Sequence, residues 1–239
     1  MAPDGHGEPT GLRVWVAPRA AVRVLDNWHV MGVAGSGSFD YEVEDLFVPD
    51  GYWFEFVGAT RRRGGGRYDV PIGVQLGAAH CGFALGAGER AIDEIAVLAT
   101  TKQRFLSASK LAERPTFQRD LGHAHASLSA ARHHVATVLA RLAICYERST
   151  PVPDRLQVEL RTAATYATDV AVAVAQTALR YAAGTGVRLD NPIQRVLREL
   201  LVAQSHMYVS EANYEKLGIE LLVASGAAEN VGARGVGFR

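Results

Sequence analysis

The spacing of apolar positions changes near residue 70. Ahead of that point the apolar runs are short and punctuated by proline and glycine. Positions 12–17 and 21–25 are valine-rich, Tyr41-Glu42-Val43-Glu44 alternates, and Leu46-Phe47-Val48 leads into Pro49. Runs of this kind predict strands, whose side chains point alternately to opposite faces. Three or four strands leave open edges, so they are not expected to make a stable domain alone.

Beyond residue 70 the period is helical. From Phe117, apolar or small residues recur at Leu121, Ala124, Leu128, Ala131, Val135, Val138, Leu142 and Cys145. A second stripe passes through Leu156, Leu160, Ala163, Ala167, Val170, Val174, Ala178 and Tyr181. Steps alternating between four and three are those of bundle helices. Asp154 is the expected N-cap of the second of these, and Gly184 its expected left-handed C-cap. Further helices are expected over 73–101, 192–208 and 211–223. The fold class is therefore α+β, mainly α: a partial antiparallel β domain followed by an up-down bundle of four to five helices. The expected organisation is a β remnant over 1–58, a basic glycine-rich linker over 59–70, the bundle over 71–225 and a flexible tail over 226–239.

Composition narrows the classes. The 25 basic and 25 acidic residues cancel, which gives no electrostatic footprint for nucleic acid. The apolar-rich stretch 73–98 is broken by His80, Glu89, Arg90, Asp93 and Glu94, too polar to span a bilayer. No order of basic, apolar and small residues marks a signal peptide, so a cytoplasmic location is expected. Cys81 and Cys145, the only two cysteines, lack C-x-x-C spacing and are expected to be buried reduced thiols. His123, His125, His133 and His134 do not show metal-ligand spacing, and no zinc site is expected.

Three segments resemble one family in the right order. Asp26-Asn27-Trp28-His29, the loop Gly32-Val33-Ala34-Gly35-Ser36-Gly37-Ser38 and the run Val43-Glu44-Asp45-Leu46-Phe47-Val48-Pro49 resemble the end of the β domain in the acyl-CoA dehydrogenase superfamily. The similarity is strongest to its two-component flavin monooxygenase branch. Arg114-Pro115-Thr116-Phe117-Gln118 through Arg132 resembles the helix opening the second half of the C-terminal bundle. Gly184-Thr185-Gly186, the run 191–199 and His206 resemble its last helical stretch. Together these cover 12 to about 222, but only the C-terminal half of a family member. The expectation is a truncated reading frame or a reduced form that needs another chain.

The resemblance implies site residues. A dehydrogenase of the superfamily uses a carboxylate to take a proton alpha to a thioester. Here Ser205-His206-Met207 stands near that place, and the next carboxylate is Glu211. The monooxygenase branch carries histidine there, where reduced flavin reacts with oxygen to a C4a-hydroperoxide. His206 is thus the implied catalytic residue, against the plainer reading of a core histidine. Arg195, Gly184, Gly186, Ser36 and Ser38 are the implied flavin contacts, and Trp28 and His29 the implied substrate pocket. The structural alternatives are a pairing of Arg195 with Glu199 or a neighbouring helix, a helix cap at Gly184 and a tight inter-strand turn at Ser36 and Ser38. Ala34 stands where arginine is common, Ala183 replaces the first glycine of the turn, and Arg180 stands where the dehydrogenases carry glutamine. Arg198 reads as structural. Arg61-Arg62-Arg63-Gly64-Gly65-Gly66-Arg67 reads as a solvated linker or a loop for a cofactor phosphate. The Gly35-Ser36-Gly37-Ser38 loop is neither a P-loop nor a dinucleotide fingerprint, having no following lysine and no following helix.

The implied function is the oxygenase component of a flavin monooxygenase, hydroxylating an aromatic or polycyclic substrate with reduced FMN or FAD from a partner reductase. A dehydrogenase or oxidase with Glu211 as base and a non-catalytic assembly partner are the alternatives. A homo-oligomer, dimer or tetramer, is expected through the bundle, with no nucleic-acid or membrane partner.

Overall fold

A computed structural model describes residues 12–56, 63–65, 68, 71–103 and 107–225. The chain divides into two compact units, Met1–Ile72 and Gly73–Arg239.

Among its described residues the first unit holds four short strands: β1 (Arg13–Trp15), β2 (Arg23–Val24), β3 (Tyr41–Glu42) and β4 (Trp53–Glu55). They pair as two antiparallel ribbons, β1 with β4 and β2 with β3. In the first ribbon Val14 faces Phe54 and Trp15 faces Trp53. Arg13 bonds Glu55 at 3.0 Å and lies 4.2 Å above the Trp53 ring. In the second, Arg23 pairs with Glu42. Asn27 holds Asp40 through its side chain, donating to the carboxylate and accepting from the amide. The strand expected over 46–48 does not form. Asp45 just ahead of it has φ 46°, which breaks an extended run. The strand β4 was not expected. Its signal is the aromatic run after Pro49-Asp50-Gly51, a turn closed by Tyr52 N donating to Pro49 O, with Gly51 at φ 91°.

Among its described residues the second unit holds five α-helices: α1 (Ile72–Thr101), α2 (Pro115–Glu147), α3 (Asp154–Gly186), α4 (Pro192–Gln204) and α5 (Ala212–Ala224). Arg141 near the end of α2 pairs with Glu159 near the start of α3. At the opposite end Tyr181 Oη donates to Asp120 at 2.6 Å. These contacts fix α2 and α3 as antiparallel neighbours. The α2 stripe is buried at Ala124, Leu128, Ala131, Val135, Val138 and Leu142. α3 buries more than its stripe, adding Thr162, Ala164, Thr165, Thr168, Ala171, Val172, Ala175 and Ala182. It is the central helix, and α1, α2, α4 and α5 all pack against it. Small residues on it allow that approach. Gly77 of α1 rests on Leu160, and Gly88 on Leu128 and Ala171.

Several ends differ from expectation. Asp154 is the first residue of α3, not its N-cap, and a carboxylate there still meets the positive end of the helix dipole. The helix does not cap at Gly184. It continues to Gly186 with its break at Ala183, φ 47° and ψ −136°. α4 ends at Gln204 rather than at 208. Cys81 is buried and burial pushes its thiol up to about 11, whereas Cys145 is only half-buried. The tail over 226–239 and most of the basic linker, including Arg61, Arg62 and Arg67, lie outside the described residues.

Candidate active site

The site in the second unit is built where α4 gives way to α5. Asn191 caps α4 by accepting from Ile193 N at 2.9 Å, and Pro192 at the first helical position needs no partner for its nitrogen. Gln194 is buried and donates to Leu189 O and Asn191 O. Its oxygen accepts from Arg198 Nε at 2.8 Å. Arg198 thus braces the turn before α4, a structural part. Arg195 is exposed and makes no ion pair among the described residues.

At the other end of α4 the chain leaves the helix at His206, φ −73° and ψ 139°. The ring Nδ1 accepts from Tyr208 N at 3.3 Å, and the His206 and Tyr208 rings stack at 5.4 Å. Asn213, buried at the start of α5, pins this turn. Its amide donates to Tyr208 O at 2.8 Å and to Thr165 Oγ1 at 3.0 Å, while Thr162 Oγ1 donates to Asn213 O. Val209 anchors the turn in the core. The Arg161 guanidinium sits 5.3 Å from the Tyr208 ring centroid. Asp169 of α3 accepts from Gln204 and from Tyr214, each at 2.8 Å. Burial, and then that bond to Asp169, push the Tyr214 hydroxyl above its ordinary value.

These elements and α1 line an open cavity of about 290 Å³, formed by Leu76, Ala79, His80, Phe83, His206 and Tyr208. His80 is half-buried. Its Nε2 lies 3.1 Å from Thr168 Oγ1, and its ring meets Phe83 edge-on at 6.0 Å. The His80 and His206 rings lie 6.3 Å apart. Burial, and then His206, hold the His80 pKa below that of a free imidazole. Among the described residues the ionisable groups of the lining are therefore two imidazoles and a phenol, with no carboxylate.

The other expected residues are distributed. Gly184, Thr185 and Gly186 end α3, and Thr185 Oγ1 accepts from Lys102 Nζ at 2.9 Å. A Cβ on Gly184 would meet open space, but one on Gly186 would meet Ala182 at 2.5 Å, so Gly186 is needed by its own helix. In the first unit Ser36 and Ser38 are exposed and bonded to each other at 3.3 Å. Between them Gly37 takes φ 57°. Trp28 is half-buried and its Nε1 is a buried donor without an acceptor among the described residues. His29 is exposed. Neither lines the apolar groove of the first unit, about 1000 Å³, between the two ribbons. Sequence reasoning did not find His80, Tyr208, Arg161 or Asn213. His80 left one signal, as a polar residue breaking an apolar stretch on the buried side of α1.

Residues 78–211, which include His80 and His206, match the family described as acyl-CoA dehydrogenase, C-terminal domain. The chain belongs to this family. Among similar proteins, the indole-3-acetate monooxygenase of Pseudomonas putida is 29% identical over 214 residues, 86% of this chain and 53% of that protein. The FADH(2)-dependent resorcinol hydroxylase, oxygenase component, of a Rhizobium species is 27% identical over 236 residues, 91% of this chain and 56% of that protein. The chain spans about half the length of the curated relatives it matches. XiaF from Streptomyces sp., solved in complex with FADH2 and glycerol, has the same fold over 91% of this chain and 57% of its own. The TM-score is 0.80 at 21% identity. An acyl-CoA dehydrogenase C-terminal bundle thus carries the His80–His206 cavity.

Proposed function

We propose that the chain is the C-terminal part of the oxygenase component of a flavin-dependent monooxygenase, one that hydroxylates an aromatic substrate. The single observation carrying this is the lining of the cavity. Proton abstraction from a thioester needs a carboxylate beside the reacting carbon, and the cavity offers imidazoles and a phenol instead. Glu211, the alternative base, does not line it. The named activities of the similar proteins, monooxygenase and hydroxylase, support the same reading.

Reduced FMN or FAD is the proposed cofactor, and bound it would supply the activation of dioxygen. Each unit, taken by itself, holds donors of the kind such a group takes. Ser36 and Ser38 expose hydroxyls, and Arg195 and Lys102 are cations without a carboxylate partner among the described residues. Ser36, Ser38, Arg195, Gly184 and Gly186 are the proposed flavin contacts, and Trp28 and His29 the proposed substrate contacts. His206 would donate a hydrogen bond from its ring. The Tyr208 stack and the Asn213 bonds fix that ring in place. A flavin reductase and a second copy of the chain are the proposed partners, in the cytoplasm. Among the described residues no helix is long and apolar enough to cross a membrane.

The test supplies the purified chain with FAD or FMN, NADH, a flavin reductase and resorcinol or indole-3-acetate under labelled oxygen. Incorporation of one labelled atom into product is the expected result. Anaerobic bleaching of bound flavin by an acyl-CoA thioester would instead establish a dehydrogenase. A colourless protein that takes up neither flavin would leave the non-catalytic reading.

A further inference from the structure

The two cavity histidines have tautomers set by their neighbours, and the tautomers are complementary. Thr168 is fully buried, and its single hydroxyl proton goes to Ala164 O at 2.8 Å. Oγ1 therefore meets His80 Nε2, 3.1 Å away, as an acceptor. The proton of the neutral His80 ring is on Nε2, and Nδ1 carries the lone pair. At His206 the order is the same but the free atom differs. Nδ1 is used in accepting from Tyr208 N, so Nε2 carries the proton and has no partner among the described residues. One ring has a vacant acceptor, the other a vacant donor, and both line the same cavity. Phe83 and Tyr208 give that cavity aromatic walls.

We propose that His80 is a second proton-handling residue of this site, accepting at Nδ1 the proton of a hydroxylated aromatic ligand whose oxygen takes a hydrogen bond from His206 Nε2–H. In the transfer the ligand O–H bond breaks, an Nδ1–H bond forms and the electron pair stays on oxygen, where His206 stabilises the charge. The role in hydroxylation rests on the monooxygenase reading; the ligand geometry does not. The charged and titratable groups around His80 are His206 and Tyr208 from the turn after α4 and Arg161 from α3, above Tyr208. None is a carboxylate that would hold the ring protonated, and burial keeps it neutral near pH 7.

The test is nitrogen-15 imidazole NMR on the full chain between pH 5 and 9, with phenol as the probe. His80 is expected as the Nε2–H tautomer, titrating below a free imidazole, and His206→Gln is expected to raise its pKa, because His206 can then no longer take up a second proton that repels the one on His80. Phenol is expected to shift His80 Nδ1 and His206 Nε2 together. His80→Gln, which keeps a donor for Thr168 but has no basic nitrogen, is expected to weaken phenol binding about tenfold. With reductase, flavin and phenol, the same variant is expected to lower kcat about a hundredfold and to remove the acid limb of the pH profile. An Nδ1–H tautomer, or phenol shifting neither ring, would overturn the proposal. If that variant does not fold, the titration of the native chain decides alone. Phenol shifts without any hydroxylation would sink the monooxygenase reading and leave the histidine pair. Hydroxylation by His80→Gln at native kcat and native pH profile would sink the pair and leave that reading.

Discussion

Single residues carry most of what distinguishes this bundle. Ala183 holds φ 47° and ψ −136°, a region that disfavours any residue with a Cβ, at a cost of about 1–3 kcal/mol. Ala183→Gly should therefore stabilise the chain by about 1 kcal/mol after the unfolded-state entropy of glycine is counted. Urea unfolding reads it as a higher midpoint at unchanged slope, and a lower midpoint would show that the backbone is unstrained there. The sequence pointed to Gly184 for this conformation. A glycine in the right segment is visible in a string of letters, but which of two neighbouring residues bends is decided by packing. His80 has a second measurable consequence. Its pKa is lowered on folding, so the unfolded chain binds the proton more readily. The stability it contributes is complete above about pH 6.5 and is lost as pH falls from there through the folded value. The melting temperature of the native chain should fall more between pH 8 and pH 5 than that of His80→Gln. Parallel losses would mean that His80 titrates as in the unfolded chain. Asp120 follows the same sign in a lower window. The Tyr181 hydroxyl, and then Arg119, hold its carboxyl below the usual range. Tyr181→Phe should raise the Asp120 pKa, read by carbon-13 NMR of the carboxyl.

Among elements, α1 shows how glycine serves two opposite purposes in one helix. Gly82 and Gly86 are exposed and a Cβ on either would meet nothing within 4 Å. Gly88 is buried, and a Cβ there would come within 2.9 Å of Leu128 and 3.3 Å of Ala171. Gly82→Ala and Gly86→Ala should each stabilise by about 0.5–1 kcal/mol, the helix propensity difference. Gly88→Leu should destabilise by about 1–3 kcal/mol through overpacking. Thermal or urea melts of the three variants check this, and a stable Gly88→Leu would mean that α1 stands off from α2 and α3. The two long stripes were legible because each helix has one core-facing side with an unbroken period. α3 was only half legible. Its second buried face is made of threonine and alanine, and such residues do not stand out from a solvated face until neighbours are known. Thr165 and Thr168 turn their hydroxyls back to carbonyls four residues earlier, and the Thr162 hydroxyl is shared between Val158 O and Asn213 O, so these threonines enter the core at little cost. The turn holding His206 was hidden for a related reason. Asn213 fixes it from α5, a tertiary constraint that no local pattern encodes.

For the whole molecule, the two units differ in kind. Every apolar side chain of the described core belongs to the second unit, from Val74 to Val209. In 12–56 only Gly32 is buried, while Phe47 is 85% exposed and Tyr41 70%. Two isolated ribbons with solvated aromatics lack the burial that offsets the entropy of ordering a chain. The bundle needs no such completion, because α3 is enclosed by its own neighbours and its polar groups are satisfied within them. A fragment spanning 73–225 should fold alone, with a helical circular-dichroism spectrum and one cooperative melt. A fragment spanning 12–56 should give the spectrum of an unfolded chain at the same temperature. Since the cavity lined by His80 and His206 lies wholly in the second unit, the helical fragment should also keep the His80 tautomer seen in the full chain. A fragment that folds but loses that tautomer would mean that the first unit, and not Thr168, sets it.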